Sequence, residues 1–245
     1  MVMATKDKKV STESPAVLYT EKRFVIIHKP AGLLVHVAPH MKEQSTQPTL
    51  ADWVRKRFPQ TQTVGDDPAY RPGIVHRLDK DTSGVMVVAL TQEYFEYLKK
   101  LFAGHAMEKT YLAVVRGKVP EPGGVINKPI GITSGTTKRS TRSTKMAKEA
   151  ITEYEVVRHF QRNHQSFSLL RVMPRTGRTH QIRVHLASRG WPVVGDPLYG
   201  GKKNVRLASR LMLHAQKLVF DVDPGKRMEF DADPSPDFVD FYQKT

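Results

Sequence analysis

This chain of 245 residues contains two kinds of apolar pattern in no regular order. One is a short apolar run of strand length, and the other is a series of apolar residues at helical spacing. Strand-like runs occur at residues 24–27, 85–90, 111–115, 151–158, 167–173 and 211–220. Helical spacing is found at residues 49–58, 92–103, 179–188 and 236–243. Because helices do not alternate strictly with strands, the pattern favours an α+β domain with a mixed sheet over a doubly wound parallel sheet.

The chain has a short polar N-terminal segment, residues 1–14, which we expect to be disordered or extended. No internal repeat and no Pro/Gly-rich linker divides the remainder, so we predict one domain over residues 15–245. The N-terminal segment lacks the apolar stretch of a secretory signal. No apolar run approaches the roughly 18–20 residues that span a bilayer, so no membrane is expected as a partner.

Cysteine is absent from the sequence. This excludes a disulfide framework, cysteine-ligated zinc, iron–sulfur clusters and thiol nucleophiles. It fits a reducing compartment, and we expect a cytoplasmic location. The turn-rich segment at residues 196–201 lacks the Gly-Lys-Ser/Thr pattern of a phosphate loop, so no nucleotide cofactor is predicted.

The chain is strongly basic, with 39 Lys and Arg against 24 Asp and Glu and a net charge of +15. A surface of this charge suits a nucleic acid, because each neutralised phosphate releases condensed counterions. Solubility alone and an anionic membrane surface are the weaker alternatives. A basic run at residues 138–148 predicts an exposed loop that could bind RNA, and a cluster of acidic residues at 221–240 directs the positive field away from the C-terminus.

The densest polar cluster is HRLDKDTSG at residues 76–84, directly before an apolar strand. Side chains in a loop that leads into a buried strand can line a cleft. Asp79 and Asp81 are candidate catalytic carboxylates. The alternative is a charged turn in which Asp81 serves as a cap.

A second cluster, RTGRTHQIRVH at residues 175–185, begins the predicted helix 179–188 at a glycine. Arg178 precedes free backbone N–H groups, which is a natural anion site, and His180 and Arg183 extend this basic face. A metal site from His180 and His185 is disfavoured, because the i,i+5 spacing does not place two ligands on one helix face.

Five segments in order resemble motifs of the RluA-type pseudouridine synthase family. They are HKPAGLLVH at 28–36, GIVHRLDKDTSG at 73–84, KTYLAVV at 109–115, the stretch from GRTHQIRVHL to GDPLYG at 177–200, and RLMLHA at 210–215. The resemblance implies a curved, mixed but largely antiparallel sheet crossed by a basic central cleft. It also implies the isomerisation of uridine to pseudouridine in structured RNA, ribosomal RNA or transfer RNA, without metal or cofactor.

The resemblance also assigns roles to residues. Asp79 would be the nucleophile, acting on the sugar C1′ or assisting a glycal intermediate, and Arg178 would pair with its carboxylate. Tyr111 would stack on the target base and could serve as a general base, and Leu213 would pack on the other side of the base. Arg77 would enter the RNA stack where the uridine has flipped out. The further residues that we expect to contact RNA are His76, His180 and Arg183.

Few residues precede Val17, so we do not expect the small N-terminal RNA-binding domain of many relatives, and RNA affinity should come from the catalytic domain itself. We expect a monomer. Two other functions remain open: a non-catalytic RNA-binding or ribosome-assembly protein on the same fold, and a glycosidase-like enzyme that releases the base.

Overall fold

A computed structural model describes residues 14–37, 47–133, 136 and 138–243 of the chain. The predicted disordered or extended segment 1–14 therefore lies, except for Ser14, outside the described residues. The strands and helices that position the cleft all fall within the described ranges.

Nine strands form one mixed sheet, in the order β1-β2-β3-β10-β4-β9-β8-β5, with β11 paired to β10. These strands are β1 (Ala16–Thr20), β2 (Phe24–Lys29), β3 (Ser83–Ala89), β4 (Glu108–Arg116), β5 (Gly123–Asn127), β8 (Ile151–Arg162), β9 (Gln165–Pro174), β10 (Leu213–Asp223) and β11 (Lys226–Asp231). Within this sheet β3 pairs with β10 in parallel, and the other strand pairs are antiparallel. The predicted α+β fold with a largely antiparallel mixed sheet is confirmed.

In the described residues, five α-helices accompany the sheet: α1 (Leu50–Arg57), α2 (Gln92–Ala103), α3 (Gln181–Ser188), α4 (Gly201–Val205) and α5 (Pro236–Gln243). A 3₁₀ turn, Pro59–Thr63, follows α1. Thr49 caps α1 through a reciprocal pair of hydrogen bonds with Asp52, which explains why this helix begins where the sequence predicts. Helix α3 begins two residues later than predicted, because His180 adopts a left-handed backbone with φ of 57°.

The basic segment 138–148 was predicted to be a loop, but it is partly a strand. In a separate two-stranded sheet, β7 (Arg139–Ser140) pairs with β6 (Gly131–Ile132). We call the described residues of this region, 130–133, 136 and 138–148, the basic hairpin. The backbone N–H of Arg139 donates to the hydroxyl of Tyr199, which ties the hairpin to the segment that follows α3.

Two hydrophobic clusters meet near the middle of the sheet. One lies around β2, β3 and α2, and the other lies around β4, β9 and α3. Tyr111 on β4 packs against both clusters, and Leu213 begins the neighbouring strand β10. The residues at this junction are therefore held by packing on both sides, which suits a site that must keep its geometry.

Gly84 sets the distance between β3 and β10. It has φ of 127°, and a Cβ built on it would lie 2.1 Å from the carbonyl oxygen of Ala215. Only glycine allows this backbone angle and this close approach together. The glycine therefore holds the loop that carries Asp79 against the strand that carries Leu213.

Candidate active site

A cleft of about 560 Å³ opens where the two clusters meet. Its wall includes all the residues to which the family resemblance assigns a role or an RNA contact: His76, Arg77, Asp79, Tyr111, Arg178, His180, Arg183 and Leu213. Among the described residues that line the cleft, Asp79 alone carries a carboxylate. A cleft of this kind has room for a flipped base and offers it one acidic group.

Asp79 lies in a tight turn that a buried lysine supports. The N–H of Thr82 donates to the carbonyl of Asp79 across 3.1 Å. The ammonium of Lys29, with no exposed surface, donates to the carbonyls of Pro30, Leu33 and Lys80. Burial lowers the pKa of Lys29 to about 7, against the opposing charges of Asp81 and Asp79. The lysine thereby fixes the loop that carries Asp79 to the turn after β2.

Arg183 on α3 is the cation that binds Asp79. Its Nη1 donates to Asp79 Oδ2 across 2.9 Å, while Nε and Nη2 form a fork with both oxygens of Asp196 at 2.8 and 2.9 Å. Asp196 is fully buried and also accepts the backbone N–H groups of Leu198 and Tyr199. Asp196 thus holds the guanidinium through Nε and Nη2, and Nη1 donates to Asp79 in the cleft.

The prediction that Arg178 pairs with Asp79 is wrong for this structure. Arg178 lies in the loop before α3, and its Nε donates to the backbone carbonyl of Glu149 across 2.9 Å. It lines the cleft but forms no ion pair among the described residues. Arg183 instead lies buried within α3, and its guanidinium contacts both Asp79 and Asp196.

His180 is the second residue near the carboxylate. Its Nε2 lies 3.9 Å from Asp79 Oδ1, and its Nδ1 lies 2.9 Å from the hydroxyl of Tyr199. That hydroxyl already accepts the N–H of Arg139, so its own proton is free to point to Nδ1. Burial lowers the pKa of His180, and Asp79 opposes this shift. A neutral ring would then direct its Nε2–H to Asp79.

The two apolar walls of the cleft come from Tyr111 and Leu213. Tyr111 is partly buried, and Leu213 is buried at the start of β10. Burial raises the pKa of Tyr111, and the charge of Asp79 raises it further. The phenol therefore keeps its proton at neutral pH.

His76 and Arg77 are neighbours in sequence but lie in different surroundings. The His76 ring stacks on Phe102 at 4.6 Å, and its Nε2 accepts the N–H of Val87. Burial, together with the charge of Lys109, lowers the pKa of His76 to about 3, so the ring is neutral. Arg77 is exposed on the rim, and in the described part of the chain it has no carboxylate within ion-pairing distance.

The two histidines weighed as metal ligands point to different partners. His185 binds Thr152 through Nδ1 and the carbonyl of Lys128 through Nε2, whereas His180 faces Asp79 and Tyr199. Three of their four ring nitrogens are therefore within hydrogen-bonding distance of separate partners, and the fourth, His180 Nε2, lies 3.9 Å from the Asp79 carboxylate.

The sequence model of the family described as RNA pseudouridylate synthase matches residues 23–188, which include Asp79, Tyr111 and Arg183. The chain belongs to this family. It is an RNA pseudouridine synthase, an isomerase that acts on uridine in RNA.

Relatives support this assignment over most of the chain. An uncharacterized RNA pseudouridine synthase of Bacillus subtilis is 35% identical over 223 residues, which are 90% of this chain and 69% of that protein. Ribosomal large subunit pseudouridine synthase D of Pseudomonas aeruginosa is 35% identical over 91% of this chain and 69% of its own length. The dual-specificity RNA pseudouridine synthase RluA of Yersinia pestis is 35% identical over 82% of this chain and 90% of its own.

The solved structure of human RNA pseudouridylate synthase domain containing 1 has the same fold. It superposes with a TM-score of 0.74 at 28% identity, covering 92% of this chain and 85% of the human chain. No helix in the described part of the synthase is long and apolar enough to cross a membrane.

Sequence reasoning missed several residues that build the synthase site: Lys29, Lys109, Asp196 and Tyr199. All of them lie inside segments that resemble family motifs. Asp196 lies in the segment that the sequence predicts to be turn-rich. A single aspartate in a turn does not indicate that it binds an arginine on a helix. Lys109 lines the cleft, and burial lowers its pKa.

Proposed function

We propose that Asp79 starts the isomerisation of a uridine that has flipped out of the RNA. The observation that carries this assignment is the contact of its carboxylate with Arg183 in a cleft that has no other carboxylate among its described lining residues. The charge-assisted hydrogen bond from the guanidinium orients the Asp79 carboxylate in the cleft. The alternative of a paired-carboxylate site loses its support, because Asp81 is absent from the described lining.

The reaction breaks the N1–C1′ bond and forms the C5–C1′ bond. Asp79 would either attack C1′ or assist departure of the uracil through a glycal, and the ring would then rotate before C5 bonds to the sugar. The proton on C5 leaves at the end, and N1 gains a proton, so that atoms and charges balance.

The walls of the cleft suit a rotating uracil. Tyr111 would cover one face of the base and Leu213 the other, because both line the cleft beside Asp79. Because its pKa is raised, the Tyr111 phenol keeps its proton at neutral pH. This favours the stacking role over that of an ionised general base. Lys109, in the same cleft, would lie near the oxygens of the uracil or the phosphate.

Arg77 is proposed to fill the gap that the flipped uridine leaves. A planar guanidinium can stack where a base has been, and flipping costs a few kcal/mol that such a contact offsets. Its exposed position on the rim of the cleft, without a carboxylate partner among the described residues, leaves it available to RNA.

Ribosomal RNA is the proposed substrate class, with transfer RNA second. The support is the name of the Pseudomonas aeruginosa relative, which refers to the ribosomal large subunit. We further propose that residues 15–245 act as one domain, because a single sheet joins strands from Ala16 to Asp231. A monomer in the cytoplasm is part of the same proposal.

Mapping of pseudouridines in ribosomal and transfer RNA from wild-type and deletion strains tests the substrate class. We expect at least one ribosomal position to lose its pseudouridine in the deletion strain and to regain it when purified protein is added to the RNA. Loss confined to transfer RNA would overturn the proposed class. Free uracil as the product would instead indicate a base-releasing enzyme.

A further inference from the structure

A second cavity, of about 280 Å³, lies beside the catalytic cleft. The basic hairpin and the loop before α3 form it: Ile130, Ile132, Arg139, Met146, Lys148, Gly177, Arg178 and Thr179. Gly177 and Arg178 line both cavities, so the two spaces adjoin each other at these residues. A chain that occupies one cavity can continue into the other past Arg178.

Three cations surround this second cavity, and no carboxylate is among the described residues that line it. Arg139, Lys148 and Arg178 take part in none of the ion pairs of the described ranges. Unpaired cations that share a concave surface repel each other and attract an anion. Two or more phosphates of a polynucleotide would satisfy this requirement.

The same cavity has an apolar side. The Met146 side chain is 67% exposed, which is unusual for a large apolar residue between lysines, and its backbone has φ of 49° in the left-handed region. Such a conformation is uncommon for a residue other than glycine and is found where the surroundings impose it. Ile130 and Ile132 form the remaining apolar surface. A nucleobase has the flat apolar faces that this side can contact.

We propose that the second cavity binds the nucleotide next to the target uridine. Its base lies on Met146 and Ile132, and the phosphate that joins it to the uridine lies at Arg178. Arg139 and Lys148 bind the following phosphate. The proposal rests on the proposed function, because it places the target uridine in the cleft of Asp79. It gives Arg178 a role in positioning RNA instead of a contact with the catalytic carboxylate.

The base contact is tested with fluorescein-labelled RNA pentamers that differ only in their bases. One pentamer carries a central uridine among abasic riboses, and two others carry one adenine restored on the 5′ or the 3′ side. The number of phosphates stays constant, so a difference in anisotropy-derived Kd reports the added base. We expect one neighbour to tighten binding by about fivefold in the wild type, in the range of single base contacts.

The Met146→Ala variant should lose this gain, and Val125→Ala should keep it. Val125 is a matched control because it is 63% exposed on β5 and does not line either cavity. If neither neighbour tightens binding, or if Met146→Ala retains the full gain, the subsite is overturned. Failure of the wild type to bind any pentamer also overturns it, whereas isomerase activity is measured separately by tritium release.

The phosphate contact is tested by the salt dependence of binding to the pentamer whose restored adenine tightens binding to the wild type. Replacement of Arg139 and Lys148 together by alanine should weaken binding about tenfold and make the salt slope shallower by roughly one unit. The control replaces Arg116 and Lys118, which are exposed at the far end of β4 and form no ion pair among described residues. An equal loss in this control would overturn the proposal.

Discussion

Arg183 Nη1 donates a 2.9 Å hydrogen bond to Asp79 Oδ2, although the two residues are 104 positions apart in the sequence. Nε and Nη2 of the same guanidinium bind Asp196, so one cation pairs with two carboxylates. Asp196 is fully buried and Asp79 is 21% exposed at its side chain. The buried carboxylate of Asp196 holds the arginine in place, and the arginine holds the Asp79 carboxylate, which lines the cleft.

Replacement of Arg183 by methionine should abolish detectable turnover and lower the free energy of unfolding by about 3–5 kcal/mol. The reason is that Asp196 would remain as a buried charge without its partner. Urea unfolding and tritium release from uridine labelled at C5 measure the two effects. The Arg183→Met/Asp196→Asn double variant should recover much of the stability but no activity, which separates the catalytic loss from unfolding.

Arg178→Ala is expected to behave differently, because Arg178 does not touch Asp79. The kcat should stay within about threefold of wild type, whereas the KM for RNA should rise about tenfold through the loss of a phosphate contact. A fall in kcat comparable to that of Arg183→Met would show that Arg178 acts on the carboxylate after all.

Asp196→Asn keeps the shape of the side chain but removes its charge. We expect kcat to fall at least tenfold with little change in the KM for RNA. The reason is that Arg183 would lose the ion pair with Asp196 that holds its guanidinium in place. Asp66→Asn is a control, because Asp66 forms only surface ion pairs with Lys99 and Arg71, which contribute little. Equal kinetics for the two variants would contradict this role of Asp196.

Gly84→Ala should prevent normal folding or cost several kcal/mol of stability. The added Cβ would lie 2.1 Å from the Ala215 oxygen, and φ of 127° is unsuited to alanine. Circular dichroism during urea titration measures the effect. Gly177→Ala is the matched control, because a Cβ there would meet nothing within 4 Å.

Stability should fall as the pH is lowered from 7 to 5, partly because of His76. The folded state holds this ring neutral, with its pKa at about 3, whereas the unfolded chain binds a proton below about pH 6.5. Stability from this source is therefore present above the unfolded pKa and declines as the pH falls toward the folded pKa. His76→Gln should reduce the loss between pH 7 and 5 by about 1–2 kcal/mol in urea titrations. His164→Gln, at an exposed turn, should leave the loss unchanged.

Local sequence signals predicted much of the fold. The Thr49–Asp52 capping pair and the apolar spacing of residues 92–103 determine α1 and α2 from nearby residues alone. The strands β5 and β11 were missed because they mix polar with apolar residues, so no continuous apolar run marks them. Strand β1 was missed although it contains the short apolar run Ala16–Tyr19, because this run directly follows the polar N-terminal segment.

The choice between Arg178 and Arg183 could not be made from the sequence. Both lie in one basic motif, and their directions depend on the left-handed turn at His180. Their partners, the Glu149 carbonyl and Asp196, come from other segments of the chain. The family resemblance identified residues that line the cleft. It did not identify which guanidinium contacts the Asp79 carboxylate.

Tritium release from RNA labelled at C5 of uridine, compared between wild type and Asp79→Asn, tests the central claim most directly. The asparagine variant keeps the size of the side chain and a hydrogen-bond acceptor for Arg183, so it should fold and bind RNA within a few-fold of wild type. We predict that Asp79→Asn releases no tritium above background, while the wild type releases tritium and forms pseudouridine. Turnover by Asp79→Asn within tenfold of wild type would contradict the assignment of Asp79 as the reacting carboxylate.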